Sequence, residues 1–183
     1  MNYLRTKAAV AALLGFALVG CQPAVGSLNT GSSATVPSPS SSELTAIVQA
    51  AVEDRNGTVL DIPPSLLLAD EQTTETYQDK RDRDLSVVAR SKAGFKATGF
   101  IYTGFSTSVT VESIEVVGSK ANVRFNEVTE QYQTSTADGR SSVPTSYALP
   151  LAATFLASAD GWQIDSLVPS EHGGVLPMSV VED

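Results

Sequence analysis

The chain has 183 residues, of which 17% are charged and 42% hydrophobic, with 20 acidic against 12 basic side chains and a formal net charge of −8. That length suits one domain of ordinary size with a real core. An acidic chain with no Lys/Arg cluster is a poor candidate for nucleic acid, because phosphate contacts supply most of that affinity, so no nucleic-acid partner is expected, and it gives no charge attraction to anionic lipid.

The chain opens on a basic flank, Arg5 and Lys7, followed by twelve uncharged and mostly apolar residues from Ala8 to Val19. A membrane-spanning helix needs about 20 apolar residues. A short apolar run behind a basic start is instead the pattern of a secretory signal. The run closes on Leu18-Val19-Gly20-Cys21, and Cys21 is the single cysteine of the chain. This ending resembles the lipobox of bacterial lipoproteins. The resemblance implies cleavage between Gly20 and Cys21 and a diacylglycerol on Cys21, so that the protein is held to the lipid bilayer on the extracytoplasmic face of the cell membrane. With Cys21 used for lipid, the exported domain has no disulfide and is held by packing alone. Removing residues 1–20 takes away Arg5 and Lys7 and no acid, leaving 20 acidic against 10 basic side chains.

Gln22 to Ser42 has no charged residue and is dominated by Ser, Thr, Pro, Gly and Ala. It reads as a flexible linker with a root-mean-square span of about 25 Å. Ser40-Ser41-Ser42-Glu43 then has the spacing of a capping box. Leu44, Ile47, Val48, Ala51 and Val52 form one apolar stripe, and Asn56-Gly57 is expected to supply a left-handed stop. Pro63-Pro64 keeps the next segment extended. Ser65 to Asp70 is expected to form one turn carrying Leu66, Leu67 and Leu68 inward. A second helix is expected from Thr74 to Ala93, stopped by Gly94. Its run Asp79-Lys80-Arg81-Asp82-Arg83-Asp84 reads as a solvated surface of paired charges, with a docking site as the alternative, and Leu85, Val88 and Ala89 form its apolar side.

After Gly94 the period becomes strand-like. Phe95 to Phe105 reads as a short strand or irregular crossing, and Val109 to Val117 and Ala121 to Thr134 flank a turn at Gly118-Ser119-Lys120. Thr145 to Ala157 and Trp162 to Val168 are joined by an Asp160-Gly161 hairpin. Val109 and Val111 change parity to Ile114 and Val116, and Val123 and Phe125 change parity to Val128, Glu130 and Tyr132. Bulges are therefore expected near Ser113 and Asn126. Pro150 lacks a ladder donor and belongs at an edge or irregularity. Tyr147, Leu149, Leu151, Ala153 and Phe155 share a core face, to be met by Trp162 and Ile164, with Ser166 and Val168 in line. The expected fold class is α+β, with N-terminal helices packed on a strongly bent antiparallel sheet.

This order of elements resembles the nuclear-transport-factor-2-like cone, and Asp160 to Leu167 is similar to the last hairpin of many such domains. Tyr102 to Val111, Val123 to Glu130 and Ser146 to Leu151 resemble the non-catalytic region that precedes the cysteine amidase domain of some secreted bacterial proteins. The resemblance covers roughly residues 43–169. The amidase part is missing, and Cys21 leaves no thiol for its nucleophile.

No G-x-S-x-G, H-E-x-x-H, P-loop or EF-hand pattern occurs. The single histidine, His172, lies in a Gly-rich tail and reads as surface loop, so no metal ligand, catalytic residue or cofactor is assigned. Cones of this class include isomerases and cyclases with an Asp base. The polar residues here are Tyr102, Arg124, Glu127, Glu130, Tyr132, Tyr147 and Asp165. Of these, Tyr102, Glu130, Tyr132, Tyr147 and Asp165 are the candidates for a ligand pocket. The plainer account puts Glu127 and Glu130 on the outer face paired with Arg124, with the tyrosines filling the core mouth.

The expected organisation is a signal peptide over 1–20, a lipidated cysteine and linker over 21–42, a cone-like domain over 43–169 and a flexible tail over 170–183. The expected function is a membrane-anchored extracytoplasmic lipoprotein whose non-catalytic domain binds an envelope protein, a wall component or a small ligand. The alternatives are a cofactor-free isomerase or lyase using a carboxylate in the cone, and a structural envelope spacer.

Overall fold

The structure is a computed structural model that describes residues 38–135, 137, 139–140, 144–171 and 175–182. Gly20, Cys21, the expected signal segment, most of the expected linker and His172 lie outside the described residues. The domain is α+β: helix α1 (Ser41–Gly57), a short 3-10 turn (Asp70–Gln72) and helix α2 (Glu75–Ala97) precede strands β1 (Phe100–Val117), β2 (Lys120–Ser135), β3 (Gly139–Arg140), β4 (Thr145–Ser158) and β5 (Gly161–Pro169). The sheet is antiparallel in the order β1-β2-β4-β5, with the two-residue β3 pairing the end of β2. It is not closed. Both outer strands are partly covered, since Leu60 bridges Tyr102 on β1 and Thr73 bridges Ile164 on β5, which blunts exposed strand edges. Among the described residues no helix is long and apolar enough to cross a membrane.

The Ser40 side chain accepts from the Glu43 amide and caps α1 as the spacing predicts. The stripe Leu44, Ile47, Val48, Ala51 and Val52 is buried against Ala121, Val123, Phe125, Leu151, Ala153, Phe155, Trp162 and Ile164 from the sheet. Each large side chain so buried is worth about 1.5–3 kcal/mol. The end of α1 differs from expectation. Gly57 is helical, not left-handed, and Thr58 closes the helix with its hydroxyl on the Arg55 carbonyl at 2.7 Å. Glycine is required there by close approach, because a Cβ would lie 2.9 Å from Pro64 Cδ. Gly57→Ala should therefore cost about 1 kcal/mol net in urea unfolding, overpacking outweighing the gain in helix propensity. A more stable variant would contradict the contact.

No helical turn forms over residues 65–69. The Asp54 carboxylate instead takes the Leu67 and Leu68 amides at 2.7 and 3.0 Å, so only Leu68 turns inward while Leu66 and Leu67 stay exposed. Gly94 does not stop α2. The helix runs to Ala97, with Thr98 as cap and Gly99 at φ 90° beyond it, the usual left-handed glycine after a helix end. Of α2's expected apolar side only Val88 is buried; Ala89 is exposed and Leu85 is 43% exposed. Lys92 of α2 donates to the carbonyls of Thr58 and Leu60 and holds the segment that follows α1.

The bulge expected near Ser113 is present, as the β1–β2 register shifts between Val111 and Ser113 and again between Tyr102 and Gly104. None occurs at Asn126. β2 keeps one parity, with Ala121, Val123, Phe125, Glu127, Thr129 and Gln131 all buried while Val128 is 46% exposed. The expectation followed the apolar residues, but the inward face of β2 turns polar halfway along because donors from α1 satisfy it. A third shift, between Thr154 and Phe155 of β4, leaves Asp165 extra on β5. Leu167 then packs on the core and Val168 points out, contrary to the parity expected for β5. Pro150 lies just past the last β4–β5 pair, Leu151–Pro169, where β4 becomes an outer strand.

Candidate functional site

The inward polar half of β2 meets the last turn of α1 in a buried network. Glu127, which has no exposed surface, takes the Arg55 guanidinium on one carboxylate oxygen. Its other oxygen accepts from Asn56 Nδ2 at 2.7 Å and Thr129 Oγ1 at 2.7 Å, with the Tyr147 hydroxyl at 3.1 Å. The Asn56 amide is the hub. It also donates to Thr107 and Thr129, and its carbonyl oxygen accepts from Ser179 at 2.8 Å and faces the Tyr147 hydroxyl at 3.1 Å. The network thus joins α1, β1, β2, β4 and the C-terminal segment. Arg55 and Glu127 are brought together from 72 residues apart.

Burial works against the Glu127 charge, yet the Arg55 charge and the donors from Asn56, Arg55 and Thr129 outweigh it and hold the carboxyl below the usual range. Burial, then the neighbouring Glu127 carboxylate, push the Tyr147 hydroxyl up. A carboxylate so held stays ionised near neutrality. Proton-transfer catalysis wants the opposite, a carboxyl tuned up toward the working pH. Two buried nitrogens at this face, Arg55 Nε and Gln131 Nε2, have no partner among the described residues.

Beside the network lies a pocket of about 360 Å³, bounded by the end of α1, Pro63 to Leu66, α2, β5 and Ser179. This is within the range of small-molecule sites. Its apolar wall comes from Pro63, Pro64, Leu66, Leu85, Val88 and Leu167, with Tyr77 beside them. The Tyr77 hydroxyl is pushed up to about 12, by burial first, with Asp54 and Asp84 adding to it and Arg55 and Arg81 opposing. The charge-rich run of α2 forms the rim: Lys80, Arg81, Asp82 and Asp84 all line the pocket, and they pair among themselves as Lys80–Asp84 at 3.3 Å and Arg81–Asp82 at 3.7 Å. Lys80 also donates to the Val181 carbonyl, and with Ser179 this ties the C-terminal segment to the pocket.

The five residues nominated from the sequence do not converge. Tyr147 belongs to the network and Asp165 lines the pocket, accepting from Thr74 Oγ1 at 2.8 Å. Tyr102 stacks on Phe95 at 4.8 Å, and burial pushes its hydroxyl up. Glu130 points outward and accepts from Tyr132 at 3.3 Å. The outer-face reading of Glu127 fails, since Glu127 is buried and its cation is Arg55, not Arg124. Arg55, Asn56, Thr129 and Ser179 went unnominated. A signal for two of them existed, because Asn56 falls four residues past the stripe position Val52, and Glu127 and Thr129 continue the parity of Val123 and Phe125. Among the described residues, no group of three His, Cys, Asp or Glu side chains is placed to hold a metal ion.

No family model matches the sequence, and no curated protein matches it. Solved structures similar to the chain include the intermembrane space region of chloroplast protein ARC6, at 14% identity and TM-score 0.39, covering 73% of this chain and 100% of that one. A conserved protein from Planctomyces limnophilus DSM 3776 is similar at 17% identity and TM-score 0.33, covering 69% of this chain and 90% of that one. Likeness of this size carries no functional argument.

Proposed function

We propose that this protein is a lipoprotein, anchored through Cys21 on the extracytoplasmic face of the cell membrane, whose domain binds a ligand or envelope partner without catalysing a reaction. Its sheet is the bent wall of a cone of the nuclear-transport-factor-2-like kind, for which the register shifts in β1 and at β4–β5 are the supporting feature, since bulges bend and twist strands. The anchoring rests on the basic flank, the short apolar run and Leu18-Val19-Gly20-Cys21. On this reading the uncharged run from Gln22 to Ser42 is the spacer between anchor and domain.

The observation that carries the binding reading is the pocket between α1, α2 and β5. The buried carboxylate beside it is fully engaged as an ion pair, which favours binding over proton transfer. Cell fractionation tests the anchor. Cys21→Ala is expected to move the protein from the membrane fraction to soluble, uncleaved or misprocessed forms. Unchanged processing and membrane association would refute the assignment. Crosslinking on intact cells from the α2 rim then tests the binding reading by identifying what occupies that face.

A further inference from the structure

The ligand class follows from which groups of the pocket wall remain unspent. Seven charged side chains line it, and each already has a charge or hydrogen-bond partner inside the protein, with only the buried Arg55 Nε left over, among the described residues, as a donor that a neutral acceptor could meet. Arg55 is paired with Glu127, Lys80 with Asp84, and Arg81 with Asp82. The Asp54 carboxylate holds the Leu67 and Leu68 amides, and Asp165 holds the Thr74 hydroxyl. The hydroxyls are spent too: Thr58 on the Arg55 carbonyl, Ser166 with Thr154, and Ser179 on Asn56. An ionised ligand would lose hydration here and meet only cations that already sit beside acids, in a wall where four acids face three cations, so its charge would be poorly repaid.

What the wall does offer is apolar. Leu66 and Leu85 stand at the pocket with 51% and 43% of their surface in water, so an apolar occupant would cover surface the fold leaves exposed. Tyr77 supplies a neutral hydroxyl beside them.

We propose that the pocket takes an uncharged, largely apolar molecule seated between Leu66 and Leu85. This rests on the pocket being the domain's binding site, as argued above. The test uses the purified full chain carrying Cys21→Ser, so that no acyl chain competes, titrated with Nile red as a neutral apolar probe and with anilinonaphthalene sulfonate as an anionic one. Nile red fluorescence is expected to blue-shift and saturate. Leu66→Gln and Leu85→Gln each raise its half-saturation by about tenfold, since each removes apolar contact. The anionic probe binds about tenfold more weakly than Nile red, because its charge is poorly repaid.

Both positions are exposed enough for the variants to fold, and unchanged circular dichroism melts check this. A Nile red response that both variants leave untouched overturns the proposal. Equal binding of the anionic probe, lost in the same two variants, overturns the ligand class while leaving the pocket as the binding site. If neither probe responds to either variant and cellular crosslinks avoid the α2 rim, the binding reading falls with it.

Discussion

Replacing Arg55 with Met is expected to destabilise the domain by about 3–5 kcal/mol, because it leaves the Glu127 carboxylate buried without its cation. Denaturant unfolding across pH distinguishes this from a loss of packing. In the native protein Glu127 is held below its ordinary pKa. Its contribution is therefore complete above the ordinary carboxylate value of about 4.3 and is lost as pH falls through the lower folded value. In Arg55→Met, burial acts with much less opposition and pushes the carboxyl up. The sign then reverses, and the variant gains stability as pH falls from neutrality toward 4. Arg55→Met/Glu127→Leu should recover much of the loss, since apolar replacement of a whole buried pair is often neutral. A parallel shift of both proteins across pH would show that the ion pair is not what Arg55 contributes.

Asn56→Ala should cost about 2–4 kcal/mol, a second large effect from one small side chain. The amide serves Thr107, Glu127, Thr129, Tyr147 and Ser179, and each buried group left short of a partner costs about 1–3 kcal/mol before relaxation. The loss has a local signature. Ser179 loses its acceptor, so amide exchange over Pro177 to Val181 should accelerate more than exchange in the α1 stripe. Because Ser179 lines the pocket, the same variant should change probe binding there. Uniform acceleration across the domain would mean that the amide acts only on global stability.

A basic side of the pH profile follows from Tyr77. Its hydroxyl is pushed up to about 12 against an ordinary value near 10. That contribution is complete below pH 10 and is lost as pH rises toward 12, the mirror image of the Glu127 dependence.

The elements that could be read from sequence are those set by neighbours in the chain. The Ser40 cap needs only Glu43, the α1 stripe needs only its own period, and the Asp160-Gly161 hairpin needs only flanking strands. The β1 bulge at Ser113 was also legible, because Val111 and Ile114 are both apolar and cannot share a face of a straight strand. The same logic failed one strand later. On β2 it followed Val128 inward, although Glu127 and Thr129 are the buried pair.

By itself, then, the sequence determined the capped helix and the alternation of strands and turns, both products of short-range sterics, capping and apolar period. Only the tertiary structure decided which face of β2 turns inward, and with it where the site lies. A buried carboxylate is tolerable only where a cation and several donors converge on it. Arg55, Asn56, Tyr147 and Ser179 come from elements that no local pattern brings together. The pocket is decided the same way. The alternating charges of α2 look like any solvated helix surface until the fold sets Leu66, Val88 and Leu167 beside them.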